Sequence, residues 1–160
     1  LTGRSKPKIQ SRCRCPDGNR PRVASRGQNN HLEQDMEYTQ LGSAGVKVSR
    51  LCLGTAFRGQ KDDAVCETVI RKGIDHGVNF FDCANFYGLG RSERFLGRAI
   101  KGHRDDLVIT SKVWSRIGEG PNDAGLSRFA IIRECERSLV RLDTDRIDVY
   151  LLHNVDHETP

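Results

Sequence analysis

No run of about 20 consecutive apolar residues occurs in this 160-residue chain, and its first residues lack the apolar stretch of a secretory signal. Both absences argue against a membrane partner and make a cytoplasmic location the expectation. Also missing is a Gly-x-Gly-x-x-Gly after a strand, because Gly88-Leu-Gly90 has no third glycine at the needed spacing. That removes the Rossmann type of nucleotide site. Methionine is almost absent, and its one copy, Met36, stands where regular patterning begins. The preceding residues, 1–35, show neither a helical nor a strand-like apolar period and are rich in Arg, Ser, Pro, Gly, Asn and Gln. Such a segment buries too little surface to offset its ordering entropy, so a disordered basic extension is expected there. It also holds all of the net charge of +5: eight Lys/Arg stand against three acids, and the remaining residues carry 18 of each sign. The patterned part, 36–160, is therefore neutral and offers no reason to expect a nucleic-acid partner. Of the six cysteines, Cys52, Cys66, Cys83 and Cys135 lie in apolar-patterned segments and read as reduced core residues. Cys13 and Cys15 have only His31 nearby as a further ligand, which is too few for a metal site, and none is expected.

From Glu37 onward the pattern is regular. Glu37–Leu41 and Val46–Ser49 flank Gly42-Ser-Ala-Gly45 and predict a short β-hairpin. Four apolar strands follow, at Leu51–Thr55, Val78–Ala84, Leu107–Val113 and Ile147–His153. Helices separate them. The first, Asp62–His76, opens on paired aspartates, closes at Gly77 and places Val65, Cys66, Val69, Ile70 and Ile74 on one face. The second, Ser92–Lys101, takes Ser92 as its N-cap and turns Phe95, Leu96, Ala99 and Ile100 inward. The third runs from a Ser127 cap to Leu142, with Ile131, Cys135, Leu139 and Leu142 as its apolar face. Near-continuous apolar strands joined by helices imply an α/β fold with a parallel sheet, and both a doubly wound sheet and half a barrel satisfy the pattern.

Ionisable residues fall where strands end. Asp82 ends the second strand, Tyr87 follows in its loop, Lys112 closes the third and His153 closes the fourth. In a barrel of alternating strands and helices these carboxyl ends share one rim, and the four side chains would converge there. Taken singly, each has an ordinary structural explanation: a turn cap, a loop anchor, a solvated strand end and a core histidine. Taken together, they suit protonation of a carbonyl oxygen as hydride reaches its carbon. A free phenol is a poor donor near neutral pH. A neighbouring ammonium stabilises the phenolate, a carboxylate holds that ammonium in place, and an imidazole orients the carbonyl.

The segment Phe80-Phe-Asp-Cys-Ala-Asn-Phe-Tyr-Gly88 resembles the aldo-keto reductase motif that carries a catalytic aspartate and tyrosine. Ile109-Thr-Ser-Lys-Val113 is similar to that family's lysine strand, and Ile147-Asp-Val-Tyr-Leu-Leu-His153 to its histidine strand. Val48-Ser-Arg-Leu-Cys-Leu-Gly-Thr55 looks like its first barrel strand after the hairpin that plugs the floor. Gly120-Pro-Asn-Asp-Ala-Gly-Leu-Ser127 resembles the bacterial and potassium-channel β-subunit-like branch. The resemblance implies a partial (β/α)8 TIM barrel, namely the first four strand-helix units after an N-terminal hairpin, with 36–160 as the N-terminal half. It also implies an NADP(H)-dependent reduction of an aldehyde or ketone. Tyr87 would be the general acid, Lys112 its partner, Asp82 the carboxylate holding Lys112, and His153 the orienting group. Gly54, Thr55 and Asp82 would lie near the nicotinamide and ribose. Tyr87, His153 and Asn154 would face a small carbonyl substrate, and Asn154 stands where many relatives of this branch carry arginine.

Such a barrel needs about 250 residues. The resemblance therefore also implies that most contacts to the adenine and the phosphates come from later strands. Open strand edges would invite pairing with a second copy, giving a homo-oligomer. The competing expectations are a non-catalytic binding or regulatory subunit of the channel β-subunit type, and an inert truncated product.

Overall fold

The computed structural model describes residues 36–159. The expected basic extension, with Cys13, Cys15 and His31, lies outside them. β1 (Tyr38–Gln40) and β2 (Lys47–Ser49) pair antiparallel across the Gly42–Gly45 turn, forming the expected hairpin. Asn79, just ahead of the next sheet strand but one, ties this hairpin down. Its Oδ1 accepts from Ser49 N at 2.6 Å, and its Nδ2 donates to Lys47 O at 3.1 Å.

The main sheet contains β3 (Cys52–Gly54), β4 (Phe80–Asp82), β5 (Val108–Val113) and β6 (Val149–Leu152), all parallel and in sequential order. The helices α1 (Asp63–Asp75), α2 (Arg91–Ala99) and α3 (Arg128–Leu142) alternate with these strands. α1 packs on α2 and α2 on α3, so the helices lie side by side over one face of the sheet. A doubly wound sheet reverses its strand order at a switch point. None occurs among these strands, and the sequential order is that of barrel-type strand-helix units.

Strand alternation divides the sheet's two faces. Phe81, Ile109 and Cys83 turn toward the helices and join Cys66, Ile70, Phe95, Leu96 and Leu142 in the buried core. Asp82, Thr110 and Lys112 turn to the opposite face. The same alternation corrects one expectation: Cys52 is exposed, because it lies on the face away from the helices, level with Phe80.

Three helix details also differ from the sequence pattern. Val65 and Val69 of α1 are exposed at 43% and 40%, and only Cys66 and Ile70 are fully buried. The packed face is thus narrower than the apolar stripe. α2 takes Gly90 as its N-cap, in a left-handed backbone that glycine adopts at low cost. Ser92 is not the cap; it is buried in the first turn with its hydroxyl bonded to Thr55. On α3 the buried residues are Ala130, Glu134, Ser138 and Leu142, whereas Ile131, Cys135 and Leu139 are half-buried. The helix is rotated toward α2 by the polar contacts described below. The other caps agree with the sequence: Asp62 accepts from Ala64 N, Ser127 accepts from Ala130 N, and α1 closes at a left-handed Gly77.

Where α2 meets the end of α3, Gly97 leaves no room for a side chain, since an added Cβ would run into the Leu142 carbonyl. Both elements would have to move apart. Gly97→Ala is therefore expected to destabilise the fold by about 1–3 kcal/mol despite alanine's higher helix propensity, measured as a lowered denaturant midpoint.

Candidate active site

The register sets Gly54, Asp82 and Thr110 level across β3, β4 and β5. Lys112 lies two residues farther along β5, on the same face as Asp82. Its ammonium is 2.6 Å from Asp82 Oδ1 and 2.7 Å from Oδ2. It also donates to the Cys83 carbonyl at 2.8 Å and to the Tyr87 hydroxyl at 3.3 Å. Carboxylate, carbonyl and phenol thus engage the three donors of the ammonium. Lys112 is 8% exposed, and a charge so shielded from water requires such partners.

Tyr87 reaches this group from the turn after β4, where its amide donates to Ala84 O at 3.2 Å and its carbonyl accepts from Ser92 N at 3.1 Å. The Lys112 Nζ stands 4.8 Å from the Tyr87 ring centroid, within cation–π range. His153 follows β6 directly, its amide donating to Val113 O at 2.9 Å. The His153 and Tyr87 rings meet edge to face at 5.7 Å. His153 Nδ1 is buried and finds no partner among the described residues. Burial, and then the Lys112 charge, hold the imidazole below its usual titration range. It is therefore neutral at pH 7.

A cavity of about 420 Å³ opens over this cluster, with Tyr87 and His153 in its lining. Phe86 and Trp114 also line it, and Ala56 and Arg58 come from the loop after β3. Asn154 lies at the margin, where its Oδ1 accepts from Val155 N at 2.9 Å. Of the three residues expected beside a cofactor, Asp82 holds Lys112, and Gly54 leaves open space: a Cβ there would meet nothing within 4 Å. Thr55 turns inward. Its hydroxyl donates to Asp82 O at 2.9 Å, so the 2.7 Å contact with Ser92 Oγ has Ser92 as donor. Thr55 thus fixes the backbone that carries Asp82.

The reading of the sequence missed a buried polar group on the helix side of the same strands. Glu93, fully buried, accepts from Ser111 Oγ at 2.6 Å and from Arg141 Nε at 2.5 Å. Glu134 accepts from Arg137 at 2.7 Å and from Asn85 Nδ2 at 3.4 Å, while Asn85 N donates to Lys112 O at 3.2 Å. Ser111 and Asn85 flank Lys112 and Tyr87 in the chain, so this group braces the site from behind. A signal was present, since Glu93 shares a helical stripe with Leu96 and Ile100. Two aspartates brace the rim in turn. Asp123 Oδ2 accepts from Gly120 N at 2.7 Å, and Asp156 Oδ2 accepts from Leu126 N at 2.7 Å, joining the loop after β5 to the segment after β6.

Parallel strand-helix units with an Asp–Lys–Tyr cluster and a histidine at the strand ends define a barrel-type α/β protein with an ionisable cluster at its rim. Residues 50–160 match the aldo/keto reductase family, and the chain belongs to it. It is 42% identical over 137 residues to an uncharacterised oxidoreductase of Bacillus subtilis. It is 44% identical over 129 residues to a probable voltage-gated potassium channel β subunit of Arabidopsis thaliana. Each match covers 78% of this chain but only 42% and 39% of those relatives, so the chain spans about two fifths of their length. Among solved structures, an aldo-keto reductase from Bacillus halodurans in its holo form matches with a TM-score of 0.71 at 33% identity, over 78% of this chain and 42% of that one. A thermostable aldo-keto reductase in complex with the inhibitor epalrestat matches with a TM-score of 0.67 at 36% identity, covering 78% and 45%. No helix among the described residues is long and apolar enough to cross a membrane.

Two outcomes are expected. Glu93→Ala removes the nearer carboxylate of Arg141, leaving it only Glu134 at 3.7 Å, and should cost about 3 kcal/mol, read by chemical denaturation. For His153, the folded titration lies below the unfolded value near 6.5. The unfolded chain therefore binds the proton first, so this residue's contribution to stability is present above that pH and is lost as pH falls beneath it. Imidazole NMR should place the His153 midpoint below that of free histidine, and His153→Gln should remove this part of the acid sensitivity.

Proposed function

We propose that the protein to which this chain belongs reduces aldehydes or ketones to alcohols with a nicotinamide cofactor, in its phosphorylated form NADPH, and that residues 36–160 supply the N-terminal half of its barrel. The observation carrying this reading is the Lys112 ammonium held jointly by the Asp82 carboxylate and the Tyr87 hydroxyl, beneath a cavity that His153 also lines.

The residues present suit such a cofactor. The empty space at Gly54 leaves the strand end open to a flat ring beside the Asp82 carboxylate, and Thr55 holds that aspartate's carbonyl from behind. When bound, the cofactor supplies the hydride. Tyr87 supplies the proton to the carbonyl oxygen. Negative charge growing on its phenolic oxygen is met by the Lys112 donor already directed at it, and the Asp82 carboxylate keeps that lysine charged and in place. Neutral His153, which lines the cavity, hydrogen-bonds the substrate oxygen and sets the angle of the carbonyl. Asn154 completes the substrate side of the cavity.

The relative named as a potassium channel β subunit supports a second reading, in which the fold serves chiefly as a binding or regulatory subunit. Turnover separates the two. In the protein as its gene encodes it, Tyr87→Phe should lower carbonyl-dependent oxidation of NADPH by about a hundredfold or more. Cofactor affinity, followed by fluorescence titration, should be retained. Equal activity of the variant rejects the proton-donor role, and normal cofactor binding without turnover of any carbonyl favours the regulatory reading.

A further inference from the structure

The loop after β3 is held in a costly shape. Phe57 has φ 34°, in the left-handed region that bulky side chains rarely adopt. Its ring pins it there, packing 5.6 Å from the ring of Phe95 at the edge of the core. Gln60 N donates to Phe57 O at 3.0 Å, with Gly59 at φ 83°, which closes a type II turn over Arg58 and Gly59. Arg91 secures the far side by donating to Gln60 O at 2.6 Å. Strain that the surrounding packing maintains is a marker of a functional position. What this turn presents is Arg58, at its tip and in the lining of the cavity with Tyr87, Trp114 and His153.

The charge balance there is one-sided. No carboxylate lines the cavity among the described residues, and Arg58 is the only lining residue with a formal charge at neutral pH. No ion pair or side-chain hydrogen bond joins Arg58 to another described residue, unlike Arg91, Arg98, Arg133, Arg137 and Arg141 of α2 and α3, which meet Asp63, Glu67, Asp123, Glu134 and Glu93. A planar guanidinium with five donors pairs best with a carboxylate or phosphate.

We propose that Arg58 sets the specificity of this site by binding an anionic group carried by the substrate, so that the preferred substrates are aldehydes or ketones bearing a carboxylate or phosphate. This rests on the reductive reading above for its chemistry, but not for the anion contact itself. The cofactor's own phosphates offer the same chemistry, and the experiment separates the two sources.

Wild type, Arg58→Leu and Arg58→Lys of the gene-encoded protein are compared for NADPH-dependent reduction of para-carboxybenzaldehyde and para-methylbenzaldehyde. Calorimetric binding of para-carboxybenzyl alcohol to the complex with NADP⁺, NADPH titration and thermal melting are recorded for each. The expected result is a wild-type preference for the carboxylate in kcat/KM that falls by about tenfold or more in Arg58→Leu, mainly through KM, and returns in part in Arg58→Lys. Equal losses for both aldehydes, together with weakened NADPH binding, assign Arg58 to the cofactor and overturn the proposal. Absence of turnover with both aldehydes in the wild type overturns the reductive reading alone, and calorimetry then decides. Binding of the carboxylated alcohol that depends on Arg58 supports the proposal, and binding indifferent to Arg58 in a variant with a normal melting curve overturns it.

Discussion

One ammonium group organises the rim. Lys112 Nζ, 8% exposed as a residue, has to be paired with acceptors because an isolated charge there would be costly. Its acceptors come from the end of β4, the residue after it and the turn beyond: Asp82, Cys83 and Tyr87. This arrangement requires β4 and β5 to run parallel with Asp82 level with Thr110, because a one-residue slip would turn Lys112 into the helix layer. Register, turn and charge therefore depend on one another.

The sheet keeps its two tasks on separate faces. Phe81, Ile109 and the neighbouring helix residues form a dry core. Asp82, Thr110 and Lys112 face away from it. On the helix side, beside that core, lies the buried polar brace of Glu93, Ser111 and Arg141. Replacing a buried ion pair with apolar side chains is often neutral or stabilising, so its retention here accords with a positional role: it fixes the residue next to Lys112.

The loops supply what the sheet does not. The turn beneath Arg58, the Asp123 and Asp156 contacts and the Trp114 wall all rise from strand ends, where insertions and substitutions alter specificity without disturbing the core. Strain at Phe57, offset by packing on Phe95, shows that core and rim are coupled even so.

Much of this was legible in the residue order. Apolar runs with helices between them, Asp62 and Ser127 as caps, Gly77 as a stop, and Asp82, Tyr87, Lys112 and His153 at strand ends all followed from local rules, because capping and strand alternation act over a few residues. Apolar patterning by itself left open the choice between a doubly wound sheet and barrel-type units, since a crossover's destination is a long-range property; the family resemblance implied the barrel, and the sequential strand order agrees. Likewise, Ser92 as an interior hydroxyl, Cys52 as an exposed thiol, and Val65 and Val69 on an open face were settled only by what other segments packed against them. Sequence determined which groups could meet. Tertiary structure decided which did, because burial and the pairing of charge depend on neighbours tens of residues away.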